Sequence, residues 1–596
     1  MTPLLPLLLA LATTVTPAPV ASVPDSGAAT PGSMVARAPV AFTKRTFATA
    51  AQMPAPVAFA LDDTGAVYTA NAKRYDGHGL FDVRLYPIIP DDVTIRSLAD
   101  RRRLTEKWVR SGVLNTPERK VTLPWLARFG DQVRRLEDRD RDGRADRVTI
   151  LADSLNDLLQ GAAAGVLPWD GRVYATVIPD LWVLRDSTGR GQWRKRSLQH
   201  GFGLHMGQAG HDMHGLVMGF DGRLYWSIGD RGFDLTTREG RRIVGHTGAV
   251  FRCWPDGSGL ELFAQGLRNP QELVFTDEGD LFTGDNNADV GDRSRLMYLP
   301  MGGDGGWTYH QQFARGCGPW TREHMWEKPL AFDEPGEAAA QPAWILPPVD
   351  HVSTCPSGFA AYPGTGLPRA YDGTLWLVDY LSGVQSFRVT PEGAGFAMRD
   401  WHWAWRDGWG MSDFDFGPDG RAWALHWGES WGINDGARLD ALTPPAAGVD
   451  TAAVAEVRAR LREGFAALDV PALARMLAHA DRRLRQRASF ELARRGDGAA
   501  LADVVAHDAR PLARRHALWA LGIVAHERGA AAVYGAVVAA LADGDAEVRR
   551  TAAGVLGDLG DRRAVSALVS RLAGPRPIIA STTSTILVDD LAEAIE

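Results

Sequence analysis

Six times along the chain, a turn built on aspartate and glycine leads directly into a short run of aromatic and β-branched residues. A glycine in such a turn supplies the positive φ angle that a tight hairpin needs, and the apolar residue after it anchors the returning strand in a core. The copies recur about every fifty residues where no insertion intervenes, roughly the length of a four-stranded propeller blade. We therefore predict six blades around a central channel. The copies occupy residues 62–68, 169–174, 220–225, 276–282, 371–376 and 417–423.

The composition changes abruptly after residue 445 to alanine, leucine, arginine and aspartate. Residues 541–560 show helical spacing of apolar residues, a break and helical spacing again, and similar units begin near residues 480 and 507. These units resemble HEAT repeats, in which each helix pair buries its apolar face only by stacking on its neighbours. The predicted fold is therefore a mainly β six-bladed propeller followed by an α-helical HEAT-like solenoid.

The predicted domain boundaries follow from these patterns. Residues 40–443 form the propeller, with a charged insertion at about 71–150, and residues 444–596 form the solenoid, which has no recognisable capping repeat and is expected to be truncated. Residues 1–39 begin with an apolar run of secretory length, too short to span a bilayer, and continue as a stretch rich in alanine, proline, serine and glycine. They predict a signal peptide with a flexible leader, and export to the periplasm or cell envelope.

The net charge and the cysteine content limit the kinds of partner and cofactor that the sequence predicts. The formal net charge is -7 and no strongly basic face is evident, which argues against nucleic acid as the main partner. No segment after the leader is apolar enough to be transmembrane. In an exported protein Cys317 could pair with Cys355 and leave Cys253 as a free thiol, although three unpaired thiols fit the sequence equally well. No Cys-x-x-Cys-His motif occurs, so the chain itself attaches no c-type haem.

The densest set of chemically capable side chains surrounds the third and fourth hairpins. His211 precedes one predicted strand and Asp230 follows the next, so a hairpin returns both to the same rim. An imidazole held by a carboxylate is a usable general base, and a purely structural His–Asp hydrogen bond is the alternative. Arg268 offers a planar fork of donors and Asn269 can both donate and accept, although a polar turn between blades would explain them as well.

Two acidic loops have the residue types of cation sites. Residues 285–292 carry five oxygen-bearing side chains, compatible with a hard cation such as Ca²⁺. A second loop places carboxylates at alternate positions around a turn glycine, in the manner of a calcium loop, through Asp138, Asp140, Asp142 and Asp146. This second loop lacks the bidentate glutamate of a complete calcium loop and arginines separate its carboxylates, so a solvated, salt-bridged turn is the alternative.

Three stretches of this sequence, residues 211–230, 266–271 and 302–307, resemble the soluble PQQ-dependent sugar dehydrogenases, six-bladed propellers that oxidise sugar hydroxyls. Within that group the chain is similar to the larger membrane-bound-type dehydrogenases, which append HEAT repeats and often a haem domain. The similarity extends more weakly over about 40 to 440. It implies PQQ and Ca²⁺ as cofactors, a sugar or other alcohol as the small-molecule substrate, and an electron-accepting cytochrome as a partner.

The resemblance also implies roles for individual residues. His211 would take the proton from the substrate hydroxyl while hydride passes to the quinone, and Asp230 would orient that histidine. Arg268 and Asn269 would contact the quinone, with Arg268 stabilising charge on the reduced cofactor. His211, Asp230 and Arg268 are thus the predicted catalytic residues.

The chain departs from the family pattern at the cofactor. Where the dehydrogenases hold calcium with the backbone carbonyls of a Gly-Pro pair, this chain has Asn287 and Ala288, which become the predicted metal ligands. Where they hold the cofactor carboxylates with a lysine, this chain has residues 381–383, and no lysine follows Lys328. Arg406 is the predicted substitute, and Asn287 and Arg406 complete the predicted cofactor-binding set.

The sequence leaves two functional hypotheses from different classes. The first is a PQQ-dependent oxidoreductase that oxidises a sugar or alcohol hydroxyl, with His211 as general base. The alternative is a non-catalytic propeller that binds glycan or protein, with the HEAT repeats as a scaffold that also offers a surface to a protein partner. The set of His211, Asp230, Arg268 and Asn269 favours the first hypothesis, and the missing lysine favours the second.

Overall fold

The computed structural model describes residues 38–572 except 76–78, 288–293, 310–345, 394, 429, 431 and 434. Six antiparallel sheets of four strands each form the blades of a propeller, and one of the sheets gains a short fifth strand. The predicted six-bladed propeller is thereby confirmed. The first strand of the chain, β1 (Thr43–Thr49), belongs to the last blade.

The blades follow one another along the chain. Blade 1 contains β2 (Pro56–Leu61), β3 (Val67–Asn71), β4 (Asp131–Glu137) and β5 (Arg147–Leu155), and blade 2 contains β6 (Ala163–Trp169), β7 (Arg172–Val177), β8 (Asp180–Asp186) and β9 (Trp193–His200). Blade 3 contains β10 (Met213–Met218) and β11 (Leu224–Ile228), a small separate hairpin of β12 (Phe233–Thr236) and β13 (Arg242–Gly245), then β14 (Gly248–Cys253) and β15 (Glu261–Leu267).

The remaining blades repeat the pattern. Blade 4 contains β16 (Pro270–Phe275), β17 (Leu281–Asp285) and β18 (Arg295–Tyr298); β19 (Gly303–Asp304) returns to blade 3 as its fifth strand, and β20 (Asp350–His351) completes blade 4. Blade 5 contains β21 (Pro356–Ala361), β22 (Leu375–Asp379), β23 (Gly383–Glu392) and β24 (Gly395–Trp405), and blade 6 contains β25 (Met411–Phe416), β26 (Ala422–His426), β27 (Arg438–Thr443) and β1.

All six predicted hairpins connect the first and second strands of a blade. The turn glycine of each has a positive φ, between +69° and +89°, which residues with a Cβ adopt only at a cost. The glycines are Gly65, Gly171, Gly222, Gly279, Gly373 and Gly420. Because the same turn recurs in the same place in every blade, all six turns emerge on one face of the propeller, and the opposite ends of these strands form the other face.

The N-terminal strand closes the ring. β1 pairs antiparallel with β27, from Thr43 opposite Thr443 to Thr49 opposite Arg438, and so supplies the outermost strand of blade 6. Core side chains lie between successive blades, where buried tryptophans such as Trp226, Trp376 and Trp423 fill the space between neighbouring sheets.

The segment between β3 and β4 leaves the blade and forms an insertion. It contains the helices α1 (Ile89–Asp92), α2 (Leu98–Ser111) and α3 (Leu123–Leu126) around a small core of its own that includes buried Trp108. The predicted insertion at about 71–150 includes β4 and β5, which complete blade 1, so the part outside the blade is 72–130. The charged side chains of these two outer strands face water, and their sequence therefore resembles a loop.

Eight described helices follow the propeller as stacked antiparallel pairs. They are α4 (Thr451–Glu463), α5 (Val470–Met476), α6 (Arg482–Arg495), α7 (Gly498–His507), α8 (Pro511–Arg528), α9 (Tyr534–Ala540), α10 (Ala546–Leu559) and α11 (Ala564–Leu572). Their apolar faces share one core. Aspartates at the predicted breaks cap the helices: Asp481 accepts the backbone N–H of Arg483 and Asp545 that of Val548. In the described part of the chain no helix is both long and apolar enough to cross a membrane.

The solenoid packs on the propeller face that carries the six hairpin turns. Trp519 stacks on Phe220 with ring centroids 5.0 Å apart, next to the turn of blade 3. Ion pairs surround this contact: Arg550 meets Asp280 at 2.7 Å, and Asp558 accepts from Arg223 and Arg252 at 2.9 Å each. One mouth of the central channel therefore lies under helices, and the other lies on the opposite face.

Matched turn glycines test how tightly the solenoid packs on the propeller. A Cβ at Gly279 would lie 2.6 Å from Cζ2 of Trp519, whereas a Cβ at Gly373 meets nothing within 4 Å. Gly373→Ala should cost about 1 kcal/mol for its positive φ, and Gly279→Ala about 1–3 kcal/mol more because the indole must move. Urea unfolding of the full chain gives both values. Equal losses would show that the indole of Trp519 moves aside at no cost, so that it is not rigidly packed on this turn.

Candidate active site

A histidine–aspartate pair lies on the propeller face opposite the solenoid. His211 precedes β10 and Asp230 follows β11, and Nδ1 of His211 lies 2.8 Å from Oδ1 of Asp230. The other carboxylate oxygen of Asp230 accepts the indole N–H of Trp307 at 2.7 Å. With Nδ1–H donated to the carboxylate, Nε2 is the ring nitrogen that can act as a base. Both members of the pair are buried, and His211 is 4% exposed.

Arg268 and Asn269 lie beside this pair because a buried carboxylate holds their backbone. Asp285, at the end of β17, accepts the backbone N–H of Arg268 at 3.0 Å and that of Asn269 at 2.8 Å. The carbonyl of Arg268 in turn accepts the N–H of Asp230 at 2.8 Å and thereby joins blades 3 and 4. Asp285 also binds Arg295 at 2.5 Å. It therefore acts as a structural anchor, and its carboxylate is already used by donors of the protein.

Gly229 allows His211 and Asn269 to approach each other. A Cβ at this position would lie 2.8 Å from Cβ of His211 and 2.9 Å from Oδ1 of Asn269, so both side chains use the space that a larger residue would occupy. Asn269 is 2% exposed, and in the described structure its Oδ1 accepts no hydrogen bond. A buried acceptor without a donor is costly, which makes this oxygen a ready position for a ligand's hydrogen-bond donor.

His211, Arg268 and Asn269 line a cavity of about 590 Å³, and Asp230 lies behind His211. This volume lies within the roughly 300–1,000 Å³ usual for small-molecule sites. His211, Arg268 and Asn269 contribute from blades 3 and 4, and Leu381 contributes from blade 5. The insertion supplies another part of the wall, through Leu80, Phe81, Asp82, Arg84, Leu85, Tyr86 and Arg119.

Buried hydrogen bonds fasten the insertion to the loop that carries His211. The N–H of Val83 donates to the carbonyl of Gly207 at 3.0 Å, and Arg101 donates to the carbonyl of Gly203 at 2.6 Å. Asp92 accepts the N–H of Met206 at 2.8 Å. The wall that the insertion adds to the cavity is therefore held by the propeller itself.

The other residues predicted to bind the cofactor or a metal differ in whether they lie at the cavity. Asn287 lines the cavity, and its N–H donates to the side chain of Asn286 at 2.9 Å. Ala288, predicted as a metal ligand beside it, lies outside the described residues. Arg406 is exposed and does not line the cavity; its guanidinium lies over the ring of Trp403 at 4.3 Å. Arg406 follows the outermost strand of blade 5, so its position does not support the predicted role in binding a cofactor.

The Asp138–Asp146 loop is the turn between β4 and β5, apart from the cavity. Carboxylate oxygens of Asp138, Asp140 and Asp146 lie within 4.8 Å of one another, and Asp142 is not part of that group. Backbone N–H groups already use several of these oxygens: Gly143 donates to Asp138 at 2.9 Å, and Asp142 donates to Asp140 at 3.1 Å.

Of the cysteines, Cys253 is buried in blade 3, Cys355 lines the cavity, and Cys317 lies outside the described residues.

A second cavity, of about 270 Å³, lies at the end of the channel that the solenoid covers, between the propeller and α6. Glu272, Asp413 and Asp415 line it, together with Arg482 and Arg483 of the solenoid. Burial raises the pKa of Asp413 to about 7 and that of Asp415 to about 6, and it also raises the pKa of Glu272. The channel thus holds carboxyl groups that keep their protons at mildly acidic pH.

Several residues of the site have roles that the motifs do not reveal. Trp307 holds Asp230, Asp285 holds two backbone N–H groups, and Gln208 accepts from Arg268 at 2.9 Å. The glycine-rich stretch before Trp307 belongs to the residues that carry the family resemblance, but it indicates no role for Trp307. Tyr86 and Arg119 of the insertion had no signal at all, because only the folded insertion brings them to the cavity.

Comparison with known proteins identifies the family of the propeller and the repeats of the solenoid. Residues 34–427 match a domain of unknown function, DUF7133, and residues 498–584 match HEAT repeats. No curated protein matches the chain.

Similar solved structures include a proposed oxidoreductase (glucose dehydrogenase) from Thermus thermophilus, at 15% identity, covering 67% of this chain and 99% of that one, with a TM-score of 0.40. Another is the PQQ-bound aldose sugar dehydrogenase of Streptomyces coelicolor, at 15% identity, covering 68% of this chain and 99% of that one, with a TM-score of 0.37. A third is the pyranose dehydrogenase PQQ domain of Coprinopsis cinerea, at 11% identity, covering 69% of this chain and 99% of that one, with a TM-score of 0.36. Likeness at this level says nothing about chemistry, so function rests on the residues themselves.

Neutralising one channel carboxyl should change how stability depends on pH. Asp413 accepts the N–H of Phe59 at 2.8 Å, and its pKa rises from 3.8 to about 7 on folding. Because the folded state binds this proton more tightly, its contribution is complete below about pH 4 and is lost as pH rises to about 7. Asp413→Asn removes the charge and keeps an acceptor for the N–H of Phe59, although it gives up the oxygen that accepts from Phe414 at 2.7 Å. It should raise the unfolding free energy at pH 8 by about 1–4 kcal/mol and change it much less at pH 4.

Urea unfolding between pH 4 and pH 8 measures this difference. Asp435→Asn is the matched control, because Asp435 lies in the same blade but is exposed, so its substitution should show no such pH dependence. A variant of Asp413 whose stability runs parallel to the unmodified protein at every pH would contradict the assignment.

Proposed function

We propose that the propeller of this chain, which belongs to the DUF7133 family, is a quinone-dependent oxidoreductase that oxidises the hydroxyl of a sugar or another alcohol. The observation that carries the proposal is the convergence of His211, Arg268 and Asn269 at one cavity, with Asp230 bonded to His211 behind it. A general base held by a carboxylate, next to a buried guanidinium, is an arrangement suited to removing a proton from a hydroxyl beside an anionic group.

The residues present fit PQQ at this cavity in three respects. The volume suits a small planar molecule. Oδ1 of Asn269 is a buried acceptor that a ligand donor would satisfy. Arg268 provides charge opposite to that of the carboxylates and ring oxygens of the quinone. Asn287 would contribute to a Ca²⁺ site through its carbonyl oxygen, as the sequence predicts.

The chain's own residues would act as follows. Asp230 would hold the proton on Nδ1 of His211 and stabilise the imidazolium, while the indole N–H of Trp307 keeps the carboxylate in place. Nε2 of His211 would take the hydroxyl proton of the substrate. When bound, PQQ would accept the hydride from the substrate carbon. Arg268, fixed by Asp285 and Gln208, would stabilise negative charge next to the base.

One observation favours the second candidate function, a non-catalytic propeller that binds glycan or protein. Leu381 lines the cavity at the position where the related dehydrogenases have their lysine, and Arg406 does not reach it. A cavity without a replacement for that cation would hold the quinone weakly. Quinone binding therefore separates the two candidates.

Removing the base or its partner tests the oxidoreductase. His211→Gln and Asp230→Asn should each lower kcat by about 10²–10⁴, since they remove a general base or the group that orients it, while quinone affinity changes little. Reduction of an artificial dye acceptor across a panel of sugars and alcohols, with PQQ and Ca²⁺ present, gives kcat. Absorbance titration of the same variants with PQQ gives affinity.

The chain offers a matched control for this experiment. His200 and Asp180 form a similar pair, 2.8 Å apart, at the outer strand of blade 2, and the side chain of His200 is 61% exposed. His200→Gln should leave both activity and PQQ affinity unchanged. The oxidoreductase proposal fails if the unmodified protein binds no PQQ, or if His211→Gln is as active as His200→Gln.

A further inference from the structure

Arginines from three strands meet at the end of blade 2 that carries its hairpin turn. In the register of the sheet, Arg172 on β7 lies opposite Arg185 on β8, and Arg185 lies opposite Arg194 on β9. Directly opposite residues of antiparallel strands point to the same face, so these three side chains form one row across the blade, the arginine row. Arg196 extends the positive charge on the same face, two residues further along β9.

The arginine row has no compensating carboxylates. In the part of the chain that the structure describes, no carboxylate oxygen lies within 4.0 Å of any of these four guanidinium groups. Asp186 points to the opposite face of β8, and its oxygens accept the N–H groups of Thr188 at 3.2 Å and Gly191 at 2.6 Å. Arg172 makes one long contact, from Nη1 to the hydroxyl of Tyr174 at 3.4 Å, which leaves its charge in place.

Such a row destabilises the sheet that contains it, because like charges directly opposite each other repel. Protection of an exposed sheet edge would explain charges on the outermost strand, β9. It does not explain those on β7 and β8, which are paired on both sides. A row that crosses the blade at a cost in stability therefore indicates a function for its charge, and an anionic ligand would replace the repulsion with attraction.

The surface around the row is open to a ligand. Two of its arginines are exposed, and Arg172 is half-buried. A Cβ at Gly171, in the hairpin turn beside the row, would meet nothing within 4 Å, whereas a Cβ at Gly222 would lie 2.9 Å from Ile523 of the solenoid. The solenoid therefore leaves this end of blade 2 uncovered, and a ligand can reach the row from outside the channel.

We propose that the arginine row is a binding site for an acidic polysaccharide, a chain of sugar rings that carry carboxylates. A guanidinium fork binds a planar carboxylate through two parallel charge-assisted hydrogen bonds. Neighbouring strands lie about 4.8 Å apart, so the row fits a ligand whose charges repeat along its length. The site lies on the propeller face opposite the cavity of His211, and it does not depend on the oxidoreductase function.

Two other polyanions fit the row less well. An extended acidic peptide repeats the carboxylates of one face about every 6.7 Å and pairs along a sheet edge, whereas the row runs across the strands. Single-stranded nucleic acid binds through exposed aromatic rings that stack on its bases, but Tyr174 and Val183, the neighbours of the row on the same face, are buried. A polysaccharide needs neither a free edge nor a stacking ring, because every sugar brings its own charge and hydroxyl groups.

Calorimetric titration of the full-length protein with oligogalacturonate at low salt tests the proposal. Arg185→Gln and Arg194→Gln should each raise Kd about three- to tenfold, and each should reduce the slope of log Kd against log salt by about one. Lys195→Gln is the matched control, because Lys195 lies next to Arg194 on β9 but points to the opposite face. It removes the same charge and should change Kd by less than about twofold.

Thermal unfolding of the ligand-free protein gives a second signature of the row. Arg185→Gln should raise the unfolding midpoint by about 1 °C at low salt, because it removes repulsion within the row, and the gain should disappear at about 1 M salt. Lys195→Gln should give no such gain, since Lys195 donates to the carbonyls of Asp153 and Ser154 at 3.2 and 3.3 Å. An unchanged midpoint of Arg185→Gln would show that the charges do not repel, and would contradict the argument for a ligand.

Three further polymers test the class of ligand. Neutral dextran should not bind, and poly-L-glutamate and single-stranded oligothymidylate should bind about tenfold or more weakly than oligogalacturonate of equal charge. If either of these two binds as tightly as oligogalacturonate, the row is a site for an acidic protein or a nucleic acid and the assignment to a polysaccharide is wrong. The proposal also fails if oligogalacturonate does not bind the unmodified protein, or if Arg185→Gln and Lys195→Gln bind it equally.

Discussion

The pairing of β1 with β27 is the constraint on which the rest of the structure depends. Blade 6 takes its outermost strand from the N-terminal end of the propeller, so the ring closes by backbone hydrogen bonds between the two ends of the domain. Without β1 the last blade would expose β27 as its edge, and only the contacts between blades 1 and 6, such as the N–H of Phe59 with Asp413, would join it to the start of the domain. Because the cavity takes residues from blades 3, 4 and 5 and from the insertion in blade 1, its geometry exists only in the closed ring.

The two faces of the propeller serve different purposes. Five of the six hairpin connections with positive-φ glycines are two to five residues long, and the solenoid covers the face on which they lie. The contact uses buried ion pairs such as Arg550 with Asp280, which specify the orientation of the two parts more than they stabilise it. At the opposite face the strand connections differ in length, and they contain His211, Asp230 and the insertion. HEAT repeats commonly bind partners, but here one side of the solenoid already binds its own propeller.

The site is built from carboxylates that orient other groups. Asp230 orients the imidazole of His211, Asp285 holds the backbone of Arg268 and Asn269, and Asp82 joins the insertion to the loop before His211. Each carboxylate satisfies donors that would otherwise be buried without acceptors, so few of them remain available to a ligand. The polar groups that face the cavity are therefore mainly an imidazole, guanidinium groups and amides.

The sequence by itself determined the blade count, the HEAT-like helices and the association of His211 with Asp230. Each of these follows from local rules: a glycine turn sets a hairpin, apolar spacing sets a helix, and a hairpin returns its two ends to one rim. Tertiary structure alone decided the rest. It placed Arg406 outside the cavity and Arg119 at its wall, and it used Asp285 as an anchor, although the composition of residues 285–292 is typical of a cation loop. Such outcomes depend on which side chains from distant segments meet when the ring closes and the insertion folds back, and one-dimensional spacing carries no information about that meeting.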